Sequence, residues 1–146
     1  MAKVEILVGT TLGSAEYVAD EISDQLSDLG HQTMVHLAPN LSDLSLNSLW
    51  IVVSSTHGAG DLPDNIVPFF DEISLNSPDL SDVKFALCAI GDSSYDTFCQ
   101  GPEKLIEQLS QCGAKVYVDK IQIDVQYTPI PEEPALSWLS GWQEQL

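Results

Sequence analysis

The sequence predicts an α/β domain in which a parallel sheet of five strands lies between two layers of helices. Five apolar runs recur along the chain, and segments with the periodicity of amphipathic helices lie between them. Several runs are apolar throughout rather than alternating, which is typical of strands buried on both faces of a sheet. Strands and helices that alternate in this way, joined by right-handed crossovers, form a three-layer α/β/α sandwich.

The predicted strands share this apolar character and comprise residues 4–8, 33–37, 49–54, 85–90 and 116–123. The apolar face of a first helix is formed by Ala15, Val18, Ala19, Ile22, Leu26 and Leu29, and Gly30 is its stop signal. The apolar faces of three further helices are formed by Ile66, Phe69, Phe70 and Ile73, by Leu105, Ile106, Leu109 and Cys112, and by Ala135, Trp138, Leu139 and Trp142. Residues 40–48 are too polar for a strand and too short for a helix. The length suits one domain spanning residues 1–146.

The charge of the chain is strongly one-sided, with 22 acidic residues, five lysines, no arginine and a net charge of −17. A protein without a basic surface is a poor match for the phosphates of nucleic acids or for anionic membranes. The charge favours either docking to partners with basic surfaces or simple solubility. The lack of arginine excludes a tyrosine phosphatase with a Cys-x5-Arg loop, and the lack of a loop lysine excludes a P-loop NTPase.

The three cysteines show no metal-binding or redox spacing. Their odd number and the absence of a signal peptide predict a cytoplasmic protein. No apolar run approaches the roughly 18 residues that a membrane span needs. We therefore expect a soluble protein without a metal site.

The loops after the first, third and fourth strands are chemically unusual, and ligands bind at the carboxyl ends of strands in such a sheet. The first loop is GTTLGSAE, in which glycines and hydroxyl groups precede a helix and no basic residue occurs. Its backbone N–H groups and the positive end of the helix dipole predict a phosphate site built without a cation. The other loops are SSTHGAGDLPDN and IGDSSYDTFC, and the tyrosine of the latter can stack on a flat ligand.

On these three motifs the chain resembles the flavodoxins and the flavodoxin-like domains of diflavin reductases. GDSSY followed by FC is the most specific match. The short second loop and the ending PEEPALSWLSGW are most similar to the MioC group, which are small bacterial flavodoxin-like proteins of the short-chain type. The resemblance extends over essentially the whole chain. It implies the flavodoxin-like strand order 2-1-3-4-5 and FMN as the cofactor.

The resemblance also implies which residues bind FMN, and none of them is catalytic. The phosphate loop, around the FMN phosphate, comprises Thr10, Thr11, Leu12, Gly13, Ser14 and Ala15. The ring loop, at one face and the N5 edge of the isoalloxazine ring, comprises Thr56, His57, Gly58, Ala59 and Gly60. The stacking loop, at the other face and the pyrimidine edge, comprises Gly91, Asp92, Ser93, Tyr95, Phe98 and Cys99. Alanine at position 15 and histidine at position 57 depart from the family pattern and imply weak or reversible FMN binding.

A flavodoxin-like protein is expected to carry electrons rather than to transform a substrate, because the flavin does the redox chemistry. The resemblance implies a flavodoxin reductase-type donor and a redox acceptor enzyme, with biotin synthase as a candidate, and both with basic docking surfaces. We expect a cytoplasmic monomer that binds neither nucleic acid nor membrane. Two alternatives stay open: an FMN-dependent reductase that uses NAD(P)H directly, and a non-redox binding or regulatory module with weak FMN affinity.

Overall fold

The computed structural model of the protein describes residues 3–10, 13–55, 62–91, 100–128 and 130–146. Strands and helices alternate along these residues. The strands are β1 (Lys3–Gly9), β2 (Gln32–His36), β3 (Leu49–Ser55), β4 (Lys84–Gly91), β5 (Lys115–Val116) and β6 (Ile121–Asp124). The helices are α1 (Ser14–Asp28), α2 (Val67–Asn76), α3 (Gln100–Gln111) and α4 (Glu132–Ser140), with short 3-10 turns at Leu41–Asp43 and Gln143–Gln145.

The strands form one parallel sheet in the order β2-β1-β3-β4-β5, and β6 also pairs with β4. The registers place Ile6 of β1 opposite Ile51 of β3, and Val53 of β3 opposite Cys88 of β4. Because the strands are parallel and closely in register, their carboxyl ends meet at one edge of the sheet. The observed order β2-β1-β3-β4-β5 confirms the predicted order 2-1-3-4-5.

The fifth position of the sheet is filled by two short strands, so the prediction of one continuous strand there is wrong. β5 ends at Val116, opposite Phe85, and β6 begins at Ile121, opposite Cys88. The five residue positions from Val116 to Ile121 therefore lie opposite only three positions of β4, from Phe85 to Cys88. The two extra residues form a bulge, which an edge position tolerates because only one of its sides must pair.

Two apolar cores lie on opposite faces of the sheet, because alternate residues of a strand point to opposite sides. On β1, Ile6 and Val8 belong to one core and Leu7 belongs to the other. Residues of α1 and α4 complete the first core, and residues of α2 and α3 complete the second. The strands β1, β3 and β4 are buried over most of their length, which explains their uninterrupted apolar sequences.

The apolar faces predicted for the helices are confirmed, except that Leu29, which follows the end of α1, is 50% exposed. The residues buried on α2, α3 and α4 include Phe69, Ile73, Leu105, Leu109, Ala135 and Leu139. Gly30 and Gly113 follow α1 and α3 with φ angles of 91° and 101°, a left-handed conformation that favours glycine at the end of a helix. Within the described residues, none of the helices has the length and apolar character that crossing a membrane requires.

The last helix packs against the bulge of the sheet edge through tryptophans. The indole N–H of Trp138 donates to the Asp119 carbonyl (2.9 Å), which lies between β5 and β6. Its ring also meets the ring of Trp142 edge to face, with centroids 5.2 Å apart. Trp142 in turn contacts Tyr117, the first residue after β5, with ring centroids 5.8 Å apart. These contacts hold α4 against the interrupted fifth position.

Residues 40–48, for which no element was assigned from sequence, contain the 3-10 turn Leu41–Asp43. The side chain of Asn40 caps this turn, because its Oδ1 accepts the Ser42 N–H (3.1 Å). The turn also contacts α2, since the Leu41 N–H donates to Glu72 Oε1 (2.9 Å). A short polar segment without strong periodicity thus gains its shape from local capping and one distant carboxylate.

Candidate cofactor site

The carboxyl ends of β1, β3 and β4 lie side by side at one edge of the sheet. Gly9, the last residue of β1, is in register with Ser54 of β3. Ser55, the last residue of β3, is in register with Ile90 of β4. Since neighbouring strands are about 4.8 Å apart, the phosphate loop, the ring loop and the stacking loop all begin close to one another.

The described part of the phosphate loop is organised around a glycine. Gly13 is the N-cap of α1 and has a φ of 93°. Its N–H donates to Thr10 Oγ1 (2.8 Å), and its carbonyl accepts the Tyr17 N–H (3.0 Å) in the first turn of the helix. A Cβ built on Gly13 would meet no atom within 4 Å, so the space beside it is open. Glycine has no side chain to cap the helix, and uncapped N–H groups at a helix start suit an anion.

Asn65 connects the phosphate loop to the segment that leads into α2. Its Oδ1 accepts the Thr10 N–H (2.8 Å). Its Nδ2 donates to the carbonyl of Val8 (2.7 Å) and to the carbonyl of Leu37 (2.8 Å). One side chain thus joins the ends of β1 and β2 to the start of the phosphate loop. The sequence prediction missed Asn65, because its partners are 28 to 57 positions away along the chain.

The ends of β1 and β3 approach each other too closely for any side chain at position 9. A Cβ built on Gly9 would lie 2.4 Å from Ser54 Oγ and 3.1 Å from Ile66 Cγ2. Ser54 is fully buried, and its hydroxyl donates to the Ser55 carbonyl (2.9 Å). Glycine at position 9 therefore allows the two strands to deliver their loops side by side.

The other described residues of the predicted site are Ser14, Ala15 and Gly91. Ser14 is the first residue of α1. Ala15 is completely buried, and its methyl group belongs to the core beneath α1 and α4, so it can offer a ligand only its backbone N–H. Gly91 ends β4, and its carbonyl accepts the Val125 N–H (2.9 Å), which ties the start of the stacking loop to the segment after β6.

The remaining predicted site residues lie outside the described ranges. They are Thr11, Leu12, Thr56, His57, Gly58, Ala59, Gly60, Asp92, Ser93, Tyr95, Phe98 and Cys99. The structure thus brings together Thr10, Gly13, Ser14 and Ala15 at the end of β1. It places Gly91 on the same edge of the sheet, two strands away.

The surroundings of the phosphate loop are acidic rather than basic. Tyr17 lies in the first turn of α1, and the charges of Glu21 and then of Glu132 raise the pKa of its hydroxyl. No lysine occurs in the phosphate loop. Three of the five lysines in the chain instead begin β1, β4 and β5 at the opposite end of the sheet, namely Lys3, Lys84 and Lys115. An anion at the start of α1 would therefore be held by dipoles and hydrogen bonds.

Comparison with known proteins identifies the family. A sequence model of the flavodoxin family matches residues 6–138. Protein MioC of Escherichia coli O157:H7 is 44% identical over 142 residues, which are 97% of each chain. The sulfite reductase (NADPH) flavoprotein alpha-component of Bacillus subtilis is 34% identical over 145 residues, covering 95% of this chain and 23% of that protein. The solved structure of a cysteine-to-serine mutant of flavodoxin from Pseudomonas aeruginosa superposes with a TM-score of 0.88 at 32% identity, covering 96% and 95% of the two chains.

FMN is the cofactor of flavodoxins, and the described residues fit its phosphate group. The space beside Gly13 is open to an anion. The hydroxyl of Thr10 and the N–H groups at the uncapped start of α1 are neutral hydrogen-bond donors for it. The strand ends that carry the other two loops adjoin this position, as the attached ring requires. The chain therefore belongs to the flavodoxin family of FMN-binding electron carriers.

Proposed function

We propose that this chain, as a single FMN-binding domain spanning residues 1–146, is a cytoplasmic and monomeric carrier of electrons between a reductase and an acceptor enzyme. FMN supplies the redox chemistry when bound, and the residues of the chain bind and orient it. The observation that carries the proposal is the loop at the end of β1, where Thr10 and Gly13 lie at an uncapped helix start without a basic residue.

The proposed binding roles follow the three loops. The phosphate loop holds the phosphate through backbone N–H groups and hydroxyls. The ring loop lies against one face of the ring, and the stacking loop lies against the other face, with Tyr95 stacked on it. Ala15 contributes no hydroxyl, so the phosphate depends more heavily on backbone donors.

The charge of the protein supports electron exchange with basic partners. A net charge of −17 favours steering toward positively charged surfaces, an effect that salt weakens. The same charge, with no cation in the phosphate loop, disfavours extra negative charge on the flavin and lowers its potential. The proposed partners are accordingly a reductase and an acceptor that present basic docking surfaces.

The relationship to a longer flavoprotein supports a separate electron donor. The region of the Bacillus subtilis protein that resembles this chain is only 23% of that protein, which is named as the flavoprotein component of an NADPH-dependent sulfite reductase. The rest of that protein has no counterpart in this chain. We propose that a distinct reductase reduces this chain. Direct use of NAD(P)H by this chain is the competing function.

The experiment that tests the proposal starts with the full chain stripped of flavin. FMN is titrated while its fluorescence is followed, and quenching that saturates at one FMN per chain is expected. The loaded protein is then mixed with NADPH, first alone and then with a catalytic amount of a flavodoxin reductase, and flavin absorbance is recorded. We expect bleaching only when the reductase is present.

Each other outcome selects a different function. Bleaching by NADPH alone would identify an FMN-dependent reductase. FMN that fails to bind at micromolar concentrations would favour a binding or regulatory module. An acceptor is tested last, by mixing the reduced protein with biotin synthase and following reoxidation of the flavin without oxygen. The absence of reoxidation would remove biotin synthase as the acceptor and leave the carrier function in place.

A further inference from the structure

We propose that Asn65 is a positioning residue that fixes the phosphate loop by tying it to the segment that leads into α2. The inference rests on the proposed FMN site and goes beyond it, because Asn65 is not among the residues assigned to FMN. Its side chain joins the start of the phosphate loop to the ends of β1 and β2. The expected consequence is that this residue matters for FMN mainly through the phosphate.

All of the hydrogen-bonding groups of the Asn65 amide that face the protein are used. The oxygen accepts the Thr10 N–H (2.8 Å), and the nitrogen donates to the carbonyls of Val8 (2.7 Å) and Leu37 (2.8 Å). A primary amide offers two N–H donors and one carbonyl acceptor, so each is matched to a backbone group of opposite character. Three bonds shorter than 3 Å define both the position and the flip of this side chain.

The backbone that carries Asn65 is itself anchored. The next residue, Ile66, is fully buried in the core beneath α2, and its N–H donates to the Pro63 carbonyl (3.1 Å). Leu62, the first described residue after the ring loop, is also buried. The segment that closes the ring loop is therefore fixed by apolar packing, and Asn65 carries that fixed position over to β1.

The bonds continue from Asn65 into the phosphate loop. Thr10 receives its bond through the backbone N–H, and its hydroxyl oxygen in turn accepts the Gly13 N–H (2.8 Å). Both ends of the loop turn are thus held before any ligand arrives. A loop that is ordered in advance loses less conformational entropy on binding, which strengthens binding.

The chemistry at this position requires an amide. Aspartate has the same shape but no N–H, so its oxygens would face the carbonyls of Val8 and Leu37 and both donated bonds would be lost. Alanine removes all of the bonds and leaves the Thr10 N–H and the carbonyls of Val8 and Leu37 without these partners. Both substitutions leave the residues of the phosphate loop unchanged.

The test compares two ligands that differ only in the phosphate. FMN and riboflavin are titrated into the flavin-stripped full chain carrying Asn65→Ala or Asn65→Asp, and dissociation constants are obtained from fluorescence quenching. We expect FMN affinity to fall roughly tenfold or more, on the scale of one or two lost hydrogen bonds. Riboflavin affinity should fall much less. The matched control is Asn47→Ala, since Asn47 lies before β3 at the opposite end of the sheet and should change neither affinity.

A general weakening of the fold would reduce both affinities by the same factor, and that result overturns the inference. Unchanged FMN affinity in a folded variant overturns it as well. Failure of the unsubstituted chain to bind FMN is a different result, because it contradicts the proposed function.

A measurement on the unsubstituted protein covers the case in which neither variant folds. Hydrogen exchange of the Thr10 amide is followed by NMR with and without FMN. We expect slow exchange in both states, because Asn65 rather than the ligand accepts this N–H. Fast exchange without FMN would show that the bond is not formed in advance, and the inference would be wrong.

Discussion

The two ends of the β-sheet differ in how their polar and charged groups are arranged. At the carboxyl end, polar groups are matched to one another: Asn65 bonds to three backbone groups, and His36, the last residue of β2, bonds to the buried Glu5 of β1. At the amino end, Lys3, Lys84 and Lys115 begin their strands. Among the described residues no carboxylate lies within ion-pair distance of any of these three lysines. One end is organised by specific short contacts, and the other carries solvated charge.

This difference shows how an acidic protein can accept an anionic cofactor. Cations placed beside the phosphate would strengthen binding but would also raise the potential of the flavin. In this chain three of five lysines lie at the far end of the sheet, where screening makes their effect on the flavin small. Binding then depends on the geometry of the loops, and changes at the carboxyl end should cost much more than changes at the amino end.

The largest expected effect comes from His36→Ala. The side chain of Glu5 is 2% exposed, and its Oε2 lies 2.8 Å from His36 Nε2. Removing the histidine leaves a buried carboxyl group without this partner, and we expect the free energy of unfolding to fall by about 3 kcal/mol. Urea denaturation measures the change.

The matched change at the amino end is Lys84→Gln, which should lower stability by at most about 1 kcal/mol, because the exposed Lys84 makes one cation–π contact, 5.9 Å from the centre of the Tyr117 ring. Replacing both members of the buried pair, as in Glu5→Leu with His36→Leu, should recover much of the loss. Equal losses for His36→Ala and Lys84→Gln would contradict the proposed difference between the two ends.

The next largest effect is expected for Gly9→Ala. Its methyl group would lie 2.4 Å from Ser54 Oγ, so either this hydroxyl must rotate away from the Ser55 carbonyl or the ends of β1 and β3 must separate. Overpacking of this kind should cost about 1–3 kcal/mol and weaken FMN binding. Adding Ser54→Ala removes the closest atom and should restore part of both. Thermal unfolding and FMN titration of the single and double variants measure the effects.

Gly30→Ala is the control for Gly9→Ala. Gly30 has a φ of 91° and no atom within 4 Å of a built Cβ, so its substitution introduces backbone strain but no clash. We expect a loss of about 1 kcal/mol with unchanged FMN affinity. A Gly9→Ala variant that resembles this control in both measurements would show that the strand ends can separate at little cost.

A smaller effect is expected on electron transfer. Glu16 in the first turn of α1 and Asp64 beside Asn65 lie at the carboxyl end of the sheet. This is the end where FMN is proposed to bind and where a partner would have to dock. Glu16→Gln with Asp64→Asn should lower the rate of reduction by a flavodoxin reductase to about a tenth of the unsubstituted rate at low ionic strength. The difference should shrink as salt rises. Stopped-flow absorbance of the flavin measures the rate.

The matched double variant for electron transfer is Lys3→Gln with Lys84→Gln, which removes charge from the amino end. Its rate should stay within about twofold of the unsubstituted rate. A larger change for the lysine pair than for the acidic pair would place the docking surface at the wrong end of the sheet.

The smallest effect is expected at Asp79, an exposed residue near the amino end of β4. The hydroxyl and the N–H of Ser81 both donate to this carboxylate and hold its pKa below the ordinary value. A lowered pKa in the folded state stabilises the protein above the ordinary aspartate pKa, and this contribution disappears as pH falls through the folded pKa. Asp79→Ala should therefore cost little at neutral pH and nothing in strong acid. Urea denaturation at both pH values checks this, and a cost that grows in acid would contradict the assigned cause.

The sequence predicted most of the fold because burial leaves a periodic signal. Strands such as β3 and β4 are buried on both faces, so their apolar runs are uninterrupted. The helix stops at Gly30 and Gly113 were also readable, since a left-handed residue favours glycine whatever surrounds it. The break between β5 and β6 was not predictable, because the bulge adds residues without changing the apolar character of the run.

Part of the candidate site was likewise predictable from the sequence, and part was not. Sequence alone determined that the loop after β1 is neutral and predicted it as the phosphate loop, because a glycine turn between a strand and a helix is a local feature. Only the tertiary structure decided that Asn65 holds this loop and that His36 meets Glu5. These contacts join residues 28 to 57 positions apart, and a side chain that bonds so far along the chain leaves no periodic pattern around it. Local chemistry thus predicted the ligand loops, and long-range packing determined how the start of the loop after β1 is held.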